Sequence, residues 1–370
     1  MNNRSMPAQE FLCAVALNAL IPLASERTLQ AAYYILRGRK ANQTLQDVHL
    51  YHLYPYYRMF PRFPKEDWDK IISTLLQNRL VVPLTGLGGN AKPSFLVTEI
   101  GSRQAAEWRS KYELEKWNAP FTDSGMAERT ELFWQRLHLL VQTVSQLLAG
   151  DLGFLPVVTD KKVQCWVKEQ LAYQRARAIW QEQLGDELLM LWGDLPKKVQ
   201  MLLAGQLSGA SQVGKTLGQL VTQQNESPYY LHLPFRYGLA MSIRRLQAEA
   251  EQFPLLSRLV VQADKRDARL TESAARTYAL VQRGLSIAEI AAVRKIKQST
   301  VEDHLAEIAL RCPEWDYSPY LDPALGEQIV RMSEQLQTSR LRLIKDRLGA
   351  SVSYLQIRLA LARRQGAKET

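Results

Sequence analysis

The chain has 370 residues, 47 Lys and Arg against 37 Asp and Glu, a net charge of +10 and only three cysteines. That length holds two or three domains and builds its cores without disulfides, while Cys13, Cys165 and Cys312 stand far apart with no CxxC, which excludes a disulfide framework or a cysteine zinc site. No apolar run nears the roughly 20 residues of a membrane span, and Met1-Asn2-Asn3-Arg4-Ser5 lacks a signal-peptide core, so a cytoplasmic protein without membrane or metal partners is expected.

The charge is uneven. Residues 1–120 carry 15 basic against 10 acidic side chains, 121–264 carry 14 against 14, and 265–370 carry 18 against 13. These three spans are read as domains, and the basic ends suit a polyanion.

In the first span, Leu29, Ala32, Tyr33 and Leu36 share a helical face that gives way at Arg37-Gly38-Arg39-Lys40. Pro64 opens another helix, on which Trp68, Ile71, Ile72, Leu75 and Leu76 recur. The apolar runs Leu80-Val81-Val82 and Ser94-Phe95-Leu96-Val97 flank Thr85-Gly86-Leu87-Gly88-Gly89-Asn90, a glycine-rich turn that predicts a hairpin. Helices followed by a hairpin make a winged helix, with Arg37, Arg39 and Lys40 as candidate DNA contacts. The aromatic segment from His49 to Phe63 offers two readings: rings that stack single-stranded bases while Arg58 and Arg62 meet the backbone, or a linker whose rings pack onto the domain. The second is preferred. His49 and His52 have no carboxylate or thiol beside them and make a poor metal site.

The middle span is helix-forming, with apolar stripes such as Phe133, Leu137, Leu140 and Val144. Gly209-Ala210-Ser211-Gln212-Val213-Gly214-Lys215-Thr216 satisfies the phosphate-loop pattern in full. A working phosphate loop follows a buried strand, yet Val199–Leu207 continues a helical run and no later strand ends in a magnesium-holding aspartate. The segment is therefore read as a loop joining helices near 196–206 and 215–225, with no nucleotide cofactor. No catalytic constellation stands out, and a non-enzymatic role is expected.

In the last span, Gly284-Leu285-Ser286-Ile287-Ala288-Glu289-Ile290-Ala291 precedes Ser299-Thr300-Val301-Glu302-Asp303-His304. Ser286 and Glu289 have capping-box spacing, and Ile287, Ile290 and Ala291, then Val301, Leu305 and Ile308, recur at helical spacing. The layout is a helix-turn-helix. Three more amphipathic helices follow, marked by Ile329, Met332 and Leu336, by Leu341, Ile344 and Leu348, and by Tyr354, Ile357 and Leu361. Gly349 suits a left-handed stop, and Ser351 or Ser353 a cap. Arg358, Arg363 and Arg364 lie off the apolar face, where they can meet phosphate. Lys297, Ser299, Thr300 and Arg358 are the candidate DNA contacts here. Glu302 and Asp303 repel phosphate, so with His304 they are read as a partner-binding face.

Residues Thr271 to Arg364 resemble the helix-turn-helix domain at the carboxy end of some RecQ-family DNA helicases and of the bacterial YpbB-like proteins. The residues that carry this are Gly284–Ala291, Ser299–Leu305 and Val352-Ser353-Tyr354-Leu355-Gln356-Ile357-Arg358. More loosely, Ile35–Lys40, Trp68-Asp69-Lys70-Ile71-Ile72 and Phe95-Leu96-Val97-Thr98-Glu99-Ile100-Gly101 resemble the RQC winged helix of RecQ enzymes, although the helicase core is absent. The resemblance implies a mainly α protein: a winged helix with a small hairpin, a helical middle and a tandem helical domain. It further implies a DNA-binding, nucleoid-associated accessory of a RecQ-type helicase in repair or recombination. The first half of the carboxy domain also looks like the DNA-reading domain of LuxR-type regulators, and a P-loop ATPase is the third reading.

Overall fold

In the computed structural model the described residues are 6–84, 94–123, 125–151, 153–224, 227–260 and 270–363. The fold is mainly α with one small hairpin, as the sequence predicts.

The chain begins with α1 (Met6–Leu20), α2 (Leu29–Arg37), α3 (Asn42–Leu50) and α4 (Lys65–Gln77). Strands β1 (Val81–Leu84) and β2 (Ser94–Val97) pair antiparallel, with Val81 opposite Val97 and Leu84 opposite Ser94, before α5 (Glu99–Lys111). Alternation along the strands turns Val81 and Phe95 inward, both fully buried. The predicted turn at Thr85–Asn90 lies outside the described residues. Helix α2 stops at Gly38, whose φ of 70° and close approach to Arg58 both demand glycine: a Cβ there would lie 2.6 Å from that of Arg58. The aromatic segment is packed, not presented. Tyr57, Met59, Phe60 and Phe63 are buried, and the Phe63 ring lies 6.4 Å from Tyr33 and 6.5 Å from Trp68.

Next come α6 (Leu114–Asn118), α7 (Met126–Leu148), α8 (Lys161–Gln170), α9 (Gln174–Gly193), α10 (Lys197–Gly205), α11 (Leu217–Gln224) and α12 (Pro228–Ala248). Helix α12 packs against α7, α9 and α10, with Phe133, Leu137, Trp180, Leu203, Leu239 and Ile243 buried between them. The buried carboxylate of Glu187 accepts the amides of Leu255 at 3.0 Å and Leu256 at 2.8 Å, capping the short 3-10 turn Leu256–Leu259. Those amides have no helical partner, so the side chain satisfies them.

The last helices are α13 (Glu272–Val281), α14 (Ile287–Arg294), α15 (Gln298–Arg311), α16 (Pro323–Gln335), α17 (Leu341–Leu348) and α18 (Tyr354–Arg363). Helices α15 and α18 pack on each other, and α13 and α14 close over α15 while α16 and α17 close over α18. Leu305, Ile308, Ile329, Ile344, Ile357, Leu359 and Leu361 form their common core.

Two compact units result. One comprises Met1–Val15 with Ala106–Gln262, the other Ala16–Ala105 with Ala263–Thr370. This division does not fall at 120 and 264, because residues 16–105 and the carboxy-terminal helices share one unit. The reason lies in α3, which packs on α15 and α18 with Thr44, Leu45, Gln46, Asp47 and Val48 buried, and whose Leu50 joins their core. Polar clasps complete the join. The Glu26 carboxylate accepts the Thr338 hydroxyl at 2.8 Å and the Ser339 amide at 3.1 Å, and His49 Nε2 donates to the Ala362 carbonyl at 2.9 Å. Beside them Arg27 donates to Asp47 at 2.7 Å, a pair with 13% and 3% of its side chains exposed.

Candidate nucleic-acid interface

Helices α14 and α15 build the expected helix-turn-helix. Ser286 caps α14 by accepting the Glu289 amide at 3.3 Å, while the Glu289 carboxylate accepts the Ser286 amide at 2.8 Å. The Ser286 amide and the Ser286 hydroxyl, both donating to that carboxylate, hold the Glu289 carboxyl below its ordinary range. Ile290, Ala291 and Val301 close the angle between the helices, with Leu280, Leu285 and Ile296 packed around them. The turn passes through Lys295 in the left-handed conformation, φ 53°.

One residue that the spacing did not single out locks this motif. The Arg294 guanidinium donates to the Ser273 carbonyl at 2.8 Å, to the Ser273 hydroxyl at 2.9 Å, to His304 Nδ1 at 3.2 Å and also to Thr277. It thereby ties α13, α14 and α15 together. Thr277 donates its hydroxyl to His304 Nδ1 at 2.8 Å. An arginine can only donate, so Nδ1 is the acceptor and the ring proton sits on Nε2. Burial, and next the Arg294 charge, push the His304 pKa below its ordinary value, against the opposing pull of Asp303. An arginine that ends an exposed helix reads from sequence as a solvated charge, which is why it went unmarked.

The structure redistributes the predicted contacts on α15. Lys297 and Ser299 are exposed and Thr300 is half-buried at the start of the helix, where Lys297 supplies no side-chain acceptor to the first-turn amides. From His304 to Ala309 every side chain is buried. His304, expected on a partner-binding face, is therefore part of the core, because α13 and α3 cover that side of α15. Arg358 is not turned to phosphate: its Nη1 donates to Asp303 Oδ1 at 2.5 Å, linking α18 to α15. That pairing spends the Asp303 charge inside the unit and leaves Glu302, half-buried, as its unmatched neighbour in the motif. Arg364 lies outside the described residues, as does the side chain of Arg363.

At the amino-terminal end, Arg37, Arg39 and Lys40 are exposed where α2 ends, with Arg37 and Arg39 laid over the rings of Tyr33 at 5.6 Å and Tyr34 at 4.4 Å. Arg58 sits in the left-handed region at φ 56°, its amide donating to the Ile35 carbonyl at 2.9 Å. Its stem fills the space beside Gly38, so its first task is packing.

The carboxy-terminal helices contain a second motif of the same kind. Helices α16, α17 and α18 pack pairwise, and α17 passes to α18 through residues 349–353. Gly349 takes φ 93° and ψ 178°, outside the left-handed helical well expected for it. Ser353 is the cap: its Oγ accepts the Gln356 amide at 3.1 Å while Gln356 Oε1 accepts the Ser353 amide at 2.9 Å.

The phosphate-loop segment joins α10 to α11, and several of its amides are already engaged by protein acceptors. Gly209 donates to the Gln212 carbonyl at 2.8 Å, Ala210 to Ser145 Oγ at 3.0 Å, Gly214 to Ser208 Oγ at 3.1 Å, Lys215 to the Gly205 carbonyl at 2.8 Å and Thr216 to Gln219 Oε1 at 2.8 Å. A phosphate cradle needs those amides open. Glycine stands at 214 because a Cβ would lie 2.1 Å from the Gln206 carbonyl oxygen. Among the described residues no cluster of three or more His, Cys, Asp or Glu is arranged to hold a metal ion, and no helix is long and apolar enough to cross a membrane.

The two motifs define a helix-turn-helix protein, and residues 273–361, spanning both, match the family described as a helix-turn-helix domain. Along nearly its whole length the chain is similar to Protein YpbB of Bacillus subtilis (strain 168), with 27% identity over 349 residues that cover 94% of this chain and 96% of that protein. The chain thus carries a helix-turn-helix domain and is similar to YpbB along nearly its whole length. No solved structure matches it.

Proposed function

We propose that the chain is a non-catalytic DNA-binding accessory of a RecQ-type helicase, acting in the cytoplasm on nucleoid DNA during repair or recombination. The observation that carries DNA binding is the helix-turn-helix pair within residues 273–361, presented on a chain of net charge +10. The buried length of α15 supports binding without sequence reading: with only its first turn open, that helix has too few free side chains to read an operator. This argues against the LuxR-type regulator. The helicase partnership rests on the resemblance of Thr271–Arg364 to the domain at the carboxy end of RecQ-family enzymes.

Two measurements test the reading. Affinity of the full chain for random-sequence duplex DNA is expected to fall steeply between about 50 and 200 mM salt, as counterion release requires, with little dependence on sequence. A tagged full-length chain drawn from a bacterial lysate is expected to bring a RecQ-type helicase with it, identified by its peptides. Recovery of RNA polymerase in its place, together with a strong preference for one duplex sequence, would favour the regulator.

A further inference from the structure

We propose that the second helix-turn-helix, α17 with the start of α18, is the surface that grips the duplex backbone, and that the first motif is chiefly architectural. The proposal rests on the DNA-binding reading above and assigns it to particular side chains.

Charge separates the two motifs. Around the open end of α15, Lys295 and Lys297 stand near Glu302, with Asp303 already paired to Arg358, so the local excess is no more than +1. Over 340–347 four cations, Arg340, Arg342, Lys345 and Arg347, face a single carboxylate, Asp346. Arg340 turns inward and donates to the backbone carbonyls of Ser25 and Glu26. Arg342 and Arg347 point outward. The Arg342 side chain is 84% exposed, and its contact with Asp346 at 3.8 Å is a loose surface pair that a phosphate can displace. Helix α17 buries Ile344 and half-buries Leu341 and Leu348, which leaves its opposite face to solvent.

The turn and the first residue of α18 follow directly and add polar groups beside Lys345. Ser351 is exposed, and Tyr354, 44% exposed, holds its ring 4.6 Å from the Lys345 ammonium. The set therefore offers three cations and two hydroxyl donors on consecutive turns of one hairpin. Phosphate contacts in protein–DNA complexes come from such groups: Arg and Lys for the charge, Ser and Tyr hydroxyls for orientation. The duplex backbone is the occupant that charge complementarity selects. In the first motif, by contrast, Arg294 is consumed by Ser273, Thr277 and His304, and Asp303 by Arg358. Its polar groups hold helices together.

The test uses the full chain and a fluorescein-labelled 20-base-pair duplex of random sequence, followed by anisotropy across a salt series. Arg342→Glu with Arg347→Glu is expected to weaken binding at least about tenfold at 100 mM salt and to lower the salt slope by about 2, the loss of two phosphate contacts. Lys295→Glu with Lys297→Glu is expected to stay within about threefold of the parent. Arg342→Lys with Arg347→Lys keeps the charge and should retain binding, which separates charge from any effect on folding. If the 295/297 pair abolishes binding while the 342/347 pair leaves it intact, the assignment is overturned and the DNA-binding reading survives. If the unaltered chain shows no duplex binding even at 50 mM salt, both are overturned.

Discussion

Glu302 and Asp303 are neighbours with the same charge, yet only Asp303 has an answering cation, Arg358. Local sequence shows two carboxylates on a helix; it does not show a guanidinium that arrives from 55 residues further on. Asp303→Lys is therefore expected to destabilise the unit by about 1–2 kcal/mol, since it exchanges an attraction for a repulsion, and a lowered melting temperature would register it. Glu302→Lys should leave melting unchanged and tighten duplex binding modestly. Equal destabilisation by both would count against the geometry. His304 supplies a pH signature. Its folded-state pKa lies below the ordinary 6.5, so the unfolded chain takes up the proton first as pH falls. The stability contributed by the neutral ring is present above about pH 6.5 and is lost as pH falls through the lowered folded-state pKa. His138, likewise lowered by burial, acts with the same sign. The melting temperature should fall from pH 7 to 5, and His304→Asn, which keeps an acceptor for Thr277, should flatten part of that dependence.

At the scale of elements, most of what the sequence announces is present, because caps and hairpins are specified by neighbours a few residues apart. Ser286 with Glu289, Ser353 with Gln356, and the pairing of β1 with β2 are all of this kind. The phosphate-loop pattern shows the converse. Eight residues satisfy a motif, but the helix before them, α10, denies the strand-to-helix setting that makes the motif work, and Ser145 and Ser208 take up amides that a nucleotide would need. Lys215→Ala is expected to leave both duplex binding and melting within error of the parent, and calorimetry should detect no ATP uptake by either protein. Micromolar ATP binding that vanishes with this substitution would refute the structural account of the loop.

At the scale of the molecule, the division of the chain was the least legible feature. Charge and composition mark stretches of sequence, whereas a core is defined by which apolar faces meet, and α3 meets α15 and α18 across some 250 residues of chain. The aromatic segment was legible as packing because its rings outnumber the polar groups needed to present them. A fragment of residues 265–370 lacks α3 together with Glu26, Arg27 and His49, so it exposes one side of α15 and α18. It is expected to melt broadly, or to aggregate, whereas addition of residues 16–105 in trans should restore a cooperative transition in circular dichroism. Cooperative unfolding of the fragment alone, at the temperature of the full chain, would show that α3 contributes nothing.

The discontinuous unit also sets the order of events on the ribosome. Residues 16–105 emerge early, but the helices that cover α3 follow only after residues 106–262 have been made. At roughly 5–20 residues per second, the interval up to residue 363 lasts on the order of 10–50 s. Through that time the side of α3 that packs on α15 and α18, Leu50 included, has no native cover, while the intervening unit receives the last of its own chain and can fold first. Closing so long a loop costs only slightly more than closing a short one, since each doubling adds about 0.6 kcal/mol. The penalty falls on time: α3 is exposed to chaperones and proteases until α15 and α18 arrive, and a truncation before α15 leaves it permanently without them.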